Sequence, residues 1–283
     1  MKNPDLYVCG FGWSGSGALI DFLLDSGVYK KFPGGEVQFI KINGGFLDLF
    51  KAAKEKKEFS ADDLDIFLRH FTGNLNKEVN YSLKANQKSA KLWTKAGPAY
   101  SSWIFESFSR MVGVDGRGEN PSSVVESIYH KFIDIFRFSG SSFVLDQAIR
   151  PTNLDPLNFV GDGKVIIVDR DPRDSYYERR AFQGSRFTLT PEQYAENYLK
   201  RRRKMKRSLA GNLSDRVKIV GFEEFVRSPD VRFEICQWVG VQHHFKPERF
   251  NPDVSRNNIG IHKGSDEPWF YERLTDILDL SGP

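Results

Sequence analysis

Hydrophobic positions along this chain fall into two rhythms. Short apolar runs with little alternation occur at Tyr7-Val8-Cys9, Ser142-Phe143-Val144-Leu145-Asp146, Lys164-Val165-Ile166-Ile167-Val168-Asp169 and Val217-Lys218-Ile219-Val220. That is the pattern of parallel strands covered on both faces. Other stretches repeat at helical spacing. The first strand leads at once to the apolar helix Ile20-Asp21-Phe22-Leu23-Leu24. Ser60-Ala61-Asp62-Asp63 opens another with a capping-box-like signal and continues through Leu64, Phe67, Leu68 and Phe71. Further helices are expected at about 98–112 (Trp103, Phe105, Phe108), from 121 to 138, and at about 191–209. Their aromatic stripes read as core. The segment around 30–45 is rich in Gly and Lys and carries no clear element. Strands alternating with helices predict an α/β fold, a P-loop-like doubly wound parallel sheet flanked by helices. Such sheets bind ligands beyond the carboxyl ends of their strands.

Two segments at such ends carry candidate chemistry. The first strand runs into Gly10-Phe11-Gly12-Trp13-Ser14-Gly15-Ser16-Gly17-Ala18, four glycines and two serines ahead of a helix. Glycines let the backbone curl with positive φ, loop N–H groups then point inward, and the helix dipole adds roughly half a positive charge. A tight turn with no ligand needs fewer glycines, so this reads as an anion cradle with Ser14 and Ser16 as hydroxyl donors. An ATP-type P-loop has a Lys after its last loop glycine. Here Ser16 follows Gly15, and the next Lys is Lys30. The second segment, Arg170-Asp171-Pro172-Arg173-Asp174, could grip a phosphate through its arginines, or form a salt-bridged turn with its own acids. Asp146-Gln147-Ala148-Ile149-Arg150-Pro151-Thr152-Asn153 ends a third strand. It offers polar groups suited to a polyhydroxylated substrate, with a plain structural turn as the alternative.

Composition narrows the class. With 283 residues, 40% of them hydrophobic, the chain can bury a sizeable core, and no apolar run approaches the ~20 residues of a membrane span. The N-terminus lacks the apolar stretch of a signal peptide. Cys9 and Cys236 read as buried free thiols, which suits a reducing cytoplasm. Five scattered histidines, with only His243 and His244 adjacent, suggest no metal site. The net charge is +4, but Lys200-Arg201-Arg202-Arg203-Lys204-Met205-Lys206-Arg207 holds seven cations in eight residues. This is either a solvated helix end or a surface for an anionic lipid or glycan.

Taken in order, these segments resemble the sulfotransferases that use 3′-phosphoadenosine 5′-phosphosulfate (PAPS). In that family a strand–loop–helix near the N-terminus holds the 5′-phosphosulfate, matching Gly10–Leu19. A later strand ending in Arg-Asp-Pro-Arg holds the 3′-phosphate, matching Val165–Asp174. Val217–Pro229 resembles the family's acidic turn, and Ser255–Gly264 its basic loop over the nucleotide. The resemblance implies one sulfotransferase-type domain over 1–283, with a helical acceptor-site insertion at about 46–140. It implies a bacterial, cytoplasmic enzyme moving a sulfuryl group from PAPS to a hydroxyl of a sugar or cell-surface glycan precursor in polysaccharide biosynthesis, and releasing 3′,5′-ADP. The resemblance implies neither a metal nor a nucleic-acid partner. Nucleotide-binding residues would be Gly12, Trp13, Ser14, Gly15, Ser16, Gly17, Ala18, Arg170, Arg173, Ser175, Arg256, Lys263 and Gly264. Glu36, in a segment similar to the Glu-Val-His-Phe of heparan-type enzymes, would be the catalytic base beside Ser14 and Ser16, with His70, His130 and His262 as alternatives. Gln147, Arg150 and Asn153 would meet the acceptor; apart from the resemblance, the charge of Lys200–Arg207 suits either a contact with the inner face of a membrane or a solvated helix face. Two positions depart from the family: Trp13 stands where Lys or Arg precedes Ser-Gly, and Glu178 stands where Ser follows the 3′-phosphate arginine. Either the cation and hydroxyl come from elsewhere (Arg150, Ser175, Lys263) or the donor is not PAPS. Two other readings stay open. One is a P-loop nucleotide kinase with Asp169 holding Mg²⁺. The other is a non-catalytic nucleotide- or glycan-binding module.

Overall fold

A computed structural model describes residues 3–37, 39–41, 45–55, 121–137, 140–210, 214–242 and 248–280. Five parallel strands form one sheet in the order β2-β3-β1-β4-β5. They are β1 (Leu6–Gly10), β2 (Tyr29–Glu36), β3 (Ser142–Asp146), β4 (Lys164–Asp169) and β5 (Val217–Gly221). The described α-helices are α1 (Ser16–Asp25), α2 (Phe46–Glu55), α3 (Pro121–Ile135), α4 (Pro172–Gln183), α5 (Pro191–Leu209), α6 (Phe222–Arg227), α7 (Pro229–Val239), α8 (Pro252–Arg256) and α9 (Pro268–Leu280). The α/β architecture is the one its alternating segments predict. Helices expected at 60–71 and 98–112 fall outside the described residues, as do His70, His243 and His244.

The central strands are apolar on both sides because both sides are covered. Tyr7 and Cys9 of β1, with Val165 and Ile167 of β4, face a core closed by α2 and α3 through Phe46, Phe50, Tyr129 and Phe132. Leu6, Val8, Ile166 and Val168 face the opposite core, closed by α1, α6 and α7 through Phe22, Phe225 and Ile235. The two ends of the 46–140 stretch thus belong to the main core. A third cluster joins α4, α5 and α9 through Tyr176, Tyr194, Tyr271 and Leu274. Cys9 and Cys236 are buried and unpaired, and burial pushes their thiols up to about 12 and about 11.

Strand β2 is the element that hydrophobic patterning misses. It is an edge strand, Tyr-Lys-Lys-Phe-Pro-Gly-Gly-Glu, whose register on β3 shifts between Lys31 and Glu36. Lys, Pro and irregular pairing are how exposed edges are protected from further pairing, and they erase the usual strand signal. From β1 the chain leaves towards β2, and from β4 it leaves towards β5, so the crevice between their carboxyl ends is a topological switch point.

Candidate functional site

The loop after β1 sits at that switch point. Gly12, Trp13 and Gly15 all adopt left-handed backbone, with φ of 87°, 55° and 81°. For Trp13 this conformation costs about 1–2 kcal/mol, so something must hold it. Its carbonyl accepts hydrogen bonds from Arg170 Nη1 at 3.0 Å and Ser175 Oγ at 3.2 Å. Because the peptide is planar, the Ser14 N–H lies on the opposite side from that clamped carbonyl. Among the described residues, no backbone acceptor pairs with the N–H groups of Gly12 through Gly17. Helix α1 also has no acidic residue in its first turn and no side-chain cap. Its N-terminus is therefore open to an anion.

Ser14 supplies a second, independent sign. It is only 3% exposed, and its Oγ has no hydrogen-bond partner. A buried hydroxyl left unpaired costs about 1–3 kcal/mol. It lines a cleft of about 560 Å³ together with Gly12, Trp13, Gly15, Ser16, Gly17 and Ala18. A phosphate or phosphosulfate seated there would satisfy both the hydroxyl and the inward N–H groups. The residues present fit such a group.

Arg170 is the hub behind the loop. It is 5% exposed and lies 5.1 Å over the Phe222 ring. Besides Trp13, it reaches the Asn258 carbonyl at 2.6 Å through Nη2 and pairs with the Glu178 carboxylate through Nη1. Arg170, Glu178, Phe222, Ser255 and Asn258 all line the cleft. Ser175, expected to touch nucleotide, instead clamps the loop from behind.

The other wall carries two carboxylates. Glu36 ends β2 directly opposite Asp146 in the β2–β3 register, and both line the cleft. Glu36 is exposed. Asp146 is more enclosed: burial raises its carboxyl above the usual 3.8, Lys31 at 3.7 Å opposes that shift, and its Oδ1 lacks a partner. Gln147 is held in left-handed backbone (φ 53°) and donates from Nε2 to Ser16 Oγ at 3.1 Å. Its carbonyl accepts from Lys41 Nζ, whose pKa is lowered by burial and by the nearby Arg150 charge.

Several expected site residues are employed elsewhere. Arg173 grips Asp171 through Nε and Nη2 and donates to Thr275 Oγ1 at 3.1 Å, which makes the salt-bridged turn rather than a phosphate grip. Asn153 caps its own turn by accepting from the Asp155 N–H, and exposed Arg150 forms a bridge with it outside the cleft lining. Arg256 pairs with Asp253 on the surface, while Lys263 and Gly264 are exposed and do not line the cleft. The 257–264 loop is nonetheless anchored beside the site. Asp174 accepts from the Gly260 and His262 N–H groups and lies 2.5 Å from His262 Nδ1. That buried pairing removes His262 from the candidate bases. His130 pairs with Glu126 on α3, away from the lining. Asp169 is tied by Arg202 and approached by Tyr198, so its carboxylate is not free for Mg²⁺.

Phe222 and Asn258 are contributors that sequence reasoning passed over, whereas Asp146 lines the cleft at the sheet edge where the sequence places it. Asn258 was within reach, since it lies inside the basic-loop segment. Selecting by charge favoured side chains that turn out to face solvent, whereas the contact uses a carbonyl.

No family model and no curated protein matches the chain. Solved structures it is similar to include the sulfotransferase domain of the Synechococcus PCC 7002 olefin synthase, at 14% identity and TM-score 0.49, covering 100% of this chain and 96% of that one. The sulfotransferase domain of the curacin biosynthetic pathway aligns at 15% identity and TM-score 0.47, covering 89% and 78%. A sulfotransferase from Mycobacterium avium aligns at 14% identity and TM-score 0.42, covering 98% and 77%. Likenesses this distant carry no argument about chemistry, which has to come from the site.

Proposed function

We propose that this chain is a sulfotransferase that moves a sulfuryl group from a nucleoside 5′-phosphosulfate to a hydroxyl of an acceptor. The observation that carries the reading is the buried, unpartnered Ser14 hydroxyl beside a row of unpaired loop N–H groups. PAPS is the donor implied by the resemblance, and a sugar or glycan precursor the implied acceptor. When bound, the donor supplies an activated S–O bond whose leaving group is the nucleotide phosphate.

Each side chain then has a task. The loop N–H groups and the Ser14 and Ser16 hydroxyls stabilise charge that develops on the leaving phosphate, as fixed donors do best in an enclosed site. Glu36 takes the acceptor proton as the new S–O bond forms and the old one breaks, the electron pair staying on the phosphate. Asp146 at its side is the more buried carboxylate, and burial raises its own carboxyl, which leaves exposed Glu36 as the base. Gln147 fixes the Ser16 hydroxyl. Positioning of this kind supplies most of the rate in group transfer between oxygens. The kinase reading loses support from the Arg202–Asp169 pair and from the missing loop lysine.

The test is transfer of radiolabelled sulfate from donors with and without a 3′-phosphate to a panel of sugars and glycans. Label should reach a hydroxyl acceptor, and Ser14→Ala should lower the rate by about 10-fold or more. Transfer of a labelled γ-phosphate from ATP instead would overturn the proposal in favour of a kinase.

A further inference from the structure

We infer that the donor nucleotide carries a free ribose 3′-hydroxyl, and that Glu178 is the residue that selects it. This rests on the sulfotransferase reading and narrows the donor from the 3′-phosphorylated nucleotide that the resemblance implies.

The only cation among the described residues lining the cleft is Arg170, set against the carboxylates of Glu36, Asp146 and Glu178. Both terminal nitrogens of the guanidinium are committed. Its side chain is 2% exposed, Nη1 serves the Trp13 carbonyl and Glu178, Nη2 serves the Asn258 carbonyl, and Nε has no hydrogen-bond partner but is buried. A 3′-phosphate brought here would meet an arginine whose charge is neutralised and a carboxylate of its own sign. The neighbouring cations offer no replacement. Arg173 is bound to Asp171, Arg202 to Asp169, and Lys263 stands outside the lining.

The same geometry suits a hydroxyl. Glu178 is 38% exposed, so part of its carboxylate faces the cleft while Arg170 orients it. An ionised carboxylate accepts hydrogen bonds and donates none, and acids placed in this way recognise ribose hydroxyls in dinucleotide sites. The donor class is therefore a nucleoside 5′-phosphosulfate such as adenosine 5′-phosphosulfate. Its S–O bond to the 5′-phosphate breaks, a new S–O bond to the acceptor forms, the acceptor proton goes to Glu36, and the nucleoside 5′-monophosphate leaves with the electron pair.

Calorimetric titration of the wild type and Glu178→Gln with three probes tests this: AMP, adenosine 3′,5′-bisphosphate and 3′-deoxyadenosine 5′-monophosphate. Wild type should bind AMP about 10-fold more tightly than the bisphosphate, and removing the 3′-hydroxyl should cost about 5-fold or more. Glu178→Gln, which keeps the shape and removes the repulsion, should strengthen bisphosphate binding by about 10-fold and narrow or reverse the preference. The wild-type comparison stands even if the variant does not fold. A wild-type preference for the bisphosphate, or a ratio unchanged in Glu178→Gln, overturns the role of Glu178 and leaves the sulfotransferase reading in place. Failure of all three probes to bind overturns both.

Discussion

Gly15→Ala probes how the phosphate loop is held against the sheet. Gly15 has φ 81°, and a Cβ there would lie 2.3 Å from Cδ2 and 2.4 Å from Cε2 of Phe222. Two costs are separable. Left-handed backbone at a non-glycine residue costs about 1–2 kcal/mol. Forcing a fully packed ring aside costs a further 1–3 kcal/mol or so. Phe222 is 2% exposed and sits under the Arg170 guanidinium, so it has little room to yield. The expected loss is about 2–5 kcal/mol, which lowers a urea midpoint by roughly 0.7–1.7 M at a slope near 3 kcal/mol/M. A double variant with Phe222→Leu isolates the steric part. That part should appear as a coupling of about 1–3 kcal/mol between the two substitutions, with the backbone part left over. The nucleotide should also bind less tightly in Gly15→Ala than its stability alone requires, because a displaced ring unsettles the arginine that clamps Trp13. A Gly15→Ala midpoint within about 0.2 M of wild type, or no coupling to Phe222, would refute the close packing on which this reasoning depends.

Other outcomes follow from the same geometry. Glu36→Gln should reduce turnover about 10²–10⁴-fold with nucleotide affinity nearly unchanged, and near-normal turnover would move the base to Asp146. Burial raises the Asp146 carboxyl above 3.8, so the folded state takes up this proton more readily than the unfolded chain. Its contribution to stability is therefore lost as pH rises from the unfolded pKa through the raised one. Asp146→Asn should gain on wild type above that window and lose the advantage in acid, read from urea midpoints across pH. Asp174→Ala strips a 1%-exposed carboxylate from two backbone N–H groups and His262, and should cost about 3 kcal/mol or more in a denaturant titration. On α5, Arg201 donates to the Phe11 carbonyl, Arg202 binds Asp169 and Met205 is buried, which leaves Lys200, Arg203, Lys204, Lys206 and Arg207 for an outside partner. Changing those five to Gln should weaken adsorption to anionic vesicles by up to about 1 kcal/mol per charge at low salt; unchanged adsorption would make them a solvated face.

The legible parts of this protein are those whose signal is local. β1, β3, β4 and β5 announce themselves as apolar runs because each is covered on both sides, and the anion loop announces itself through glycine density. β2 is hidden because an edge strand keeps its lysines and proline. At the site, sequence correctly brought Ser14, Ser16, Gln147, Glu36 and Arg170 to one sheet edge. It could not tell that Arg173 would turn back on Asp171 two residues away, since both a phosphate grip and a salt-bridged turn use the same letters. Nor could it assign Ser175 to the back of the loop or Asn258 to its flank. Those roles depend on a carbonyl and a turn of helix that only the assembled sheet brings within reach.

The clamp on Trp13 also sets an order of events during folding. The loop lies at the start of the chain, yet the groups that fix its curl, Arg170 and Ser175, stand 157 and 162 residues later. Arg170 is in turn steadied by Asn258, a further 88 residues on. Contacts across such separations form only after the intervening chain has collapsed, since loop closure must precede any gain from them. During synthesis the first strand and helix thus emerge long before the cradle between them has its shape. The β1–β4 pairing spans the same distance along the chain, so the cradle takes its shape together with the centre of the sheet, and a nucleotide present during refolding has no cradle to bind before that pairing.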